Sequence, residues 1–73
     1  MKSSILYIDF DERGHYVDVH YRRATRHYYS IADAPESVKQ FLRNANQDNM
    51  YKMIAPAFDG ENVYEITLYR VIA

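Results

Sequence analysis

Three histidines and three aspartates crowd the first 27 residues: His15, His20 and His27 with Asp9, Asp11 and Asp18. Imidazoles and carboxylates are the side chains that hold divalent metals or move protons, so this density raises both chemistries. The spacing supports neither. On an alternating strand His15 and His20 point to opposite faces, and no second run of His or Cys completes a ligand set. The aspartates could cluster across a hairpin, but a solvated turn and edge that deters strand-to-strand aggregation is the simpler reading. The chain also lacks a phosphate-cradling glycine loop, a nucleophile elbow and any cysteine. No catalytic residue, cofactor or metal is expected, and a hydrolase or metal enzyme has no constellation behind it.

What remains is a surface. "HYRRATRHYYS", residues 20–30, packs three arginines, two histidines and three tyrosines into eleven positions. Arginine offers a planar fork of donors and stacks on aromatic rings, so it suits phosphate, carboxylate and aromatic partners. Exposed tyrosines can stack bases, and tyrosine with arginine is equally the pairing enriched at protein–protein hot spots. The competing reading is a solvated hairpin whose tyrosines cover the core with their hydroxyls in water. The eight tyrosines are too many for one small core to satisfy, so some must lie at the surface.

Charge decides between partner classes. The formal net charge of −1 hides segregation: residues 9–18 hold four acids against Arg13, residues 20–28 hold Arg22, Arg23 and Arg26 without an acid, and Asp59, Glu61 and Glu65 follow. A sequence-blind nucleic-acid coat protein would be basic throughout, so the balance favours a protein partner, with one basic rim able to touch nucleic acid weakly. Seventy-three residues fit a single domain, 1–73, near the lower limit for a hydrophobic core. Without disulfides that core must rest on packing, and 48% apolar residues allow it. No stretch is apolar enough to span a membrane, and "MKSSILYIDFDE" breaks too early for a secretory signal. A cytoplasmic monomer is expected.

The elements that must position these residues follow from period. "SILYIDF" is expected as a strand with Leu6, Ile8 and Phe10 on one face and Ile5, Tyr7 and Asp9 on the other. "DERG" reads as a turn that uses Gly14. "HYVDVHYR" then alternates, with His15, Val17, Val19 and Tyr21 toward the core and Tyr16, Asp18, His20 and Arg22 toward solvent. "RRAT" closes a second turn before a third strand, "RHYYSI". The period then changes: Val38, Phe41, Leu42 and Ala45 mark one face of a helix, with Asp33 and Glu36 at capping-box spacing and Pro35 confined to the first turn. "MYKMIAPAF" reads as a strand or a short helix, with Pro56 placing it at an edge or an irregular end. "DGEN" turns into a last strand, "VYEITLYRVI". The fold class is therefore α+β: an antiparallel β-sheet of order β-β-β-α-β(β), with one amphipathic helix packed on one face.

Residues 3–45, from "SSILYIDFDERGHYVDVHYRR" to "PESVKQFLRNA", resemble the KTSC domain, a short module found after some lysyl-tRNA synthetases and also standing alone. Tyr28 and Tyr29 match its aromatic centre, and Pro35, Glu36, Phe41 and Leu42 match its helix. That resemblance implies an RNA-binding module. In size, solitary domain and mixed-charge aromatic surface the chain is also similar to small phage-encoded regulators that seize bacterial RNA polymerase. This second likeness implies a non-enzymatic transcription regulator in the host cytoplasm, and it is the preferred expectation. The residues expected to carry binding are Lys2, Tyr7, Arg22, Arg23, Arg26, His27 and Tyr28, with Arg22 and Arg23 at a hairpin tip.

Overall fold

The computed structural model describes residues 5–73, so Lys2 lies outside the described residues. Five strands form one antiparallel sheet: β1 (Ile5–Asp11), β2 (Val17–Tyr21), β3 (Thr25–Tyr28), β4 (Met50–Asp59) and β5 (Asn62–Ile72). Their spatial order is β3-β2-β1-β5-β4, so the first three strands form a meander and the last hairpin docks beside β1. One helix, α1 (Glu36–Arg43), covers one face and leaves the other open. This is the expected α+β domain, and the segment around Pro56 is a strand at the sheet edge.

The core lies between α1 and the meander. Ile8, Val17, Val19 and Val38 are wholly buried, with Ile5 and Ala34 beside them and Phe10, Tyr21, Tyr28, Ile31, Phe41 and Leu42 packed around the rim. Val71 is also wholly buried, opposite Ile8 on β5. These are mostly β-branched residues, whose stiff side chains suit a pleated surface.

Four expectations need correction. The pairing of β1 with β2 shifts register between Ile5 and Tyr7, so Leu6 is an extra residue. Such a bulge reverses alternation, placing Ile5 rather than Leu6 on the core side and leaving Leu6 43% exposed. His15 is exposed in the turn before β2, not core-facing, because its N–H is held by Asp11 Oδ1 at 2.7 Å. The capping box does not form: Pro35 is the N-cap residue, Asp33 belongs to a 3₁₀ turn, and Glu36 instead pairs with Arg43 at 2.8 Å. That guanidinium also holds the Glu36 carboxyl below its usual range. The helix ends at Arg43 with Asn44 as its C-cap, so Ala45 lies beyond it and Val38 is the one buried member of the expected stripe.

Both glycines sit where a turn requires a positive φ, Gly14 at 71° and Gly60 at 60°. Gly60 opens the two-residue turn that makes β4 and β5 a long hairpin.

Candidate functional site

Side chains that partner one another across strands share a face. Ile8, Val19 and Arg26 therefore lie on the helix side, whereas Tyr7, His20 and Thr25 lie on the open side. On the open face Asp9 and Asp18 stand directly opposite each other on β1 and β2. Two carboxylates so placed repel, and each is held by its own partners. Arg70, brought alongside by β5, donates from Nε and Nη2 to the two oxygens of Asp9 at 2.8 and 3.2 Å. Asp9 in turn favours the charged guanidinium and raises the Arg70 pKa. Tyr7 lies under that guanidinium at 4.5 Å and stacks on His20 at 4.1 Å between centroids. His20 Nε2 is buried 3.6 Å from Asp9 Oδ2 and makes no hydrogen bond. Asp18 accepts from the Tyr16 hydroxyl and meets His27 Nδ1 at 2.6 Å.

Arg70 thus offsets the charge of Asp9, His27 and Tyr16 hydrogen-bond Asp18, and Asp11 is buried and bound to the His15 N–H. Each of the three carboxylates is engaged by a partner within the sheet or its adjoining turn. Among the described residues no set of three His, Cys, Asp or Glu side chains is arranged to hold a metal.

Burial, then the Asp18 hydrogen bond, then the charges of Asp18 and Asp9 push the Tyr16 pKa from its usual 10.0 to about 12. The folded state therefore holds this proton more tightly than the unfolded chain does. The resulting stability is fully present below pH 10 and is lost as pH rises toward 12. Chemical denaturation between these limits should show a shallower loss for Tyr16→Phe than for the parent. Equal slopes would show that Tyr16 does not carry the effect.

The expected binding residues separate. Arg22 and Arg23 lie exposed in the β2–β3 turn, which is closed by the Tyr21 N–H donating to the Ala24 carbonyl at 2.8 Å. Arg26 is exposed on edge strand β3, on the helix side. Neither it nor the turn arginines form an ion pair among the described residues. Tyr28 shares that side but packs against the core. His27 and Tyr7 belong to the open-face network. Of the seven residues expected as one surface, the six that are described give a basic edge of three arginines and members of two other environments.

Sequence reasoning missed a second surface. Pairing of β1 with β5 stops at Asp11 and Leu68, whereas β4 and β5 continue to Asp59 and Asn62. Their hairpin projects as a two-stranded ribbon, in a molecule measuring 43 × 24 × 22 Å. The ribbon exposes Ile54 (67%), Phe58 (71%) and Val63 (64%), with Tyr64 half exposed. Ile54, Phe58 and Val63 share one face by register, and Tyr64 lies on the other. The available signal was that both runs flanking "DGEN" carry apolar residues on two faces, while a single helix cannot cover them. The turn arginines lie beyond Tyr21, at the end of the sheet opposite the ribbon tip.

Comparison of the chain with protein-family models, with curated proteins and with solved structures finds no match.

Proposed function

We propose that this chain is a non-enzymatic binding domain that docks on a protein through its β4–β5 ribbon. The partner we propose is bacterial RNA polymerase, as the likeness to small phage regulators implies. The observation that carries the reading is the uncovered apolar ribbon. A two-stranded hairpin is marginal by itself, and contiguous exposed apolar residues on a small domain mark an interaction site. Phe58 and Tyr64 supply the large rings that dominate interface energetics. The basic edge of Arg22, Arg23 and Arg26 adds long-range attraction to an acidic partner, which acts mainly on the association rate.

The direct test is co-migration of the purified chain with bacterial core RNA polymerase on a sizing column. A stable complex is expected, and no complex at micromolar concentrations would remove the polymerase reading. Reversing the turn with Arg22→Glu and Arg23→Glu should leave circular dichroism unchanged and slow association about tenfold, with a smaller effect in high salt. An unchanged association rate would reduce these arginines to a solvated rim.

The RNA-binding reading implied by the KTSC resemblance has one observation in its favour, the acid-free arginine edge. Its mark is affinity that falls steeply with salt as phosphate contacts are lost. With so few cations clustered, the isolated protein should bind generic RNA weakly and only at low salt. Tight binding at physiological salt would favour this reading over the ribbon.

A further inference from the structure

The ribbon has two edges that differ in a way the protein-binding reading alone does not explain. Main-chain groups on an antiparallel strand alternate between its two neighbours. Counted from the two-residue turn at Gly60 and Glu61, the Asn62, Tyr64, Ile66 and Leu68 groups of β5 face β4, while those of Val63, Glu65 and Thr67 face the β1 side. The Thr67 carbonyl confirms the parity, because it accepts from the Glu12 N–H at 3.4 Å. Beyond Glu12 the chain turns away at Arg13 and Gly14. Among the described residues nothing continues β1 beside Val63 and Glu65.

The outer edge of β4 is different. The same count aims the groups of Met50, Lys52, Ile54, Pro56 and Phe58 outward, and Pro56 has no N–H to donate. A proline in this place blocks strand pairing at the middle of an edge. The molecule thus closes one edge of the ribbon and leaves the other open.

Space exists along the open edge. A cleft of about 310 Å³ lies between the β1–β2 turn and β5, lined by Asp11, Glu12, Arg13, Glu65, Ile66 and Thr67 among others. A wider groove of about 610 Å³ adjoins it on the open face, with Ala55, Ala57, Ile66 and Leu68 as an apolar floor and Tyr16 and Tyr64 beside them. Glu65 lies on the helix side by register, Glu12 lines the cleft beside it, and Asp59 and Glu61 stand at the ribbon tip, with Arg13 as the one neighbouring cation among the described residues. Charge here is opposite to that of the arginine edge.

We propose that the free edge of β5 at Val63–Ile66 accepts an extended segment of the protein partner as an added strand, its side chains alternating apolar and basic. Residues opposite Tyr64 and Ile66 would enter the apolar groove. Residues opposite Glu65 would share its face, where lysine or arginine meets Glu65 and Glu12. Main-chain bonds to Val63 and Glu65 hold the segment, and the alternation sets its register. This inference rests on the reading that the partner is a protein and names how that partner is held.

The probe is a capped seven-residue peptide alternating valine and lysine, titrated into the whole protein with amide shifts recorded. Shifts should concentrate at Glu12–Tyr16 and Val63–Thr67, and a valine–glutamate peptide should bind at least tenfold more weakly. Val63→Pro removes one outward N–H without touching the bonds to β4 and should also cost at least tenfold. As this variant could disturb the hairpin, N-methylation of alternate nitrogens in the probe gives the same test on the parent protein. One methylated register should abolish binding and the other should not. Equal binding of both registers, shifts centred on Arg22 and Arg23, or no binding would overturn the proposal. Self-association of the parent that Val63→Pro abolishes would assign the edge to a second copy and overturn it too. Polymerase co-migration separates the two readings. A folded Val63→Pro variant that keeps the polymerase but loses the peptide refutes strand addition while the protein-binding reading stands. Peptide binding without polymerase binding refutes the polymerase and supports the edge.

Discussion

Ile8→Ala is expected to cost about 2–5 kcal/mol and to leave much of the chain unfolded at room temperature. Ile8 is wholly buried at the centre of the sheet, paired with Val19 on one side and Val71 on the other, both also wholly buried. Truncation removes three carbons from a place where three rigid strands and α1 cannot collapse inward, so most of the cavity would persist. A chain of 73 residues has roughly 4–11 kcal/mol of total stability at typical per-residue values. The loss is therefore a large share of the whole. Phe41→Ala removes a larger side chain from a half-buried position at the rim, where solvent fills the space, and should cost less. Urea denaturation of the two variants decides the order. A more severe Phe41 variant would mean that the core is centred on the helix rather than between the strands.

The comparison also explains which parts of this fold were legible in the sequence. Alternation in "VDVHY" assigned Val17 and Val19 correctly because nothing interrupts the period there. It failed in "ILYIDFD" because one extra residue at Leu6 moves Ile5 to the opposite face, and a bulge leaves no local mark in an apolar run. The helix was found from its apolar spacing, yet its ends were misread. Asp33 had the right spacing from Glu36, but a 3₁₀ turn took it, and Arg43 captured the glutamate. Pairwise signals of this kind cannot tell which partner wins.

Long-range pairing was hidden further. Asp9 and Arg70 are 61 positions apart, and their contact exists only because β5 returns to lie beside β1. With Arg70 in place, Asp9, His20 and Tyr7 become one assembly, and the histidine–aspartate density becomes a sheet face held together by an ion pair, hydrogen bonds and ring stacking. The arginine edge was visible because its members are adjacent in sequence. The ribbon was not, since its exposure depends on where β1 stops.

Replacing Phe58 and Val63 together by alanine should leave the fold almost untouched and weaken partner binding on the order of 30-fold. The two residues face each other across the hairpin, exposed to 71% and 64%. A cross-strand pair of this type contributes only about 0.2–1 kcal/mol, so the midpoint of denaturation should move little. Burial of both side chains in a partner removes far more apolar surface from water. A central pair of anchors costs about 2 kcal/mol or more when truncated, which is the stated loss in affinity. Both substitutions keep the backbone N–H groups, so they test the apolar face of the ribbon separately from its open edge. Tyr29→Ala supplies the control: that ring is 80% exposed just beyond β3, at the opposite side of the sheet from the ribbon. Its loss should leave binding within twofold of the parent if the ribbon, and not aromatic surface in general, engages the partner. Equilibrium titration with fluorescently labelled protein and core RNA polymerase measures all three. A folded Phe58→Ala, Val63→Ala protein that binds like the parent, beside a Tyr29→Ala variant that does not, would move the docking surface from the ribbon to the basic edge.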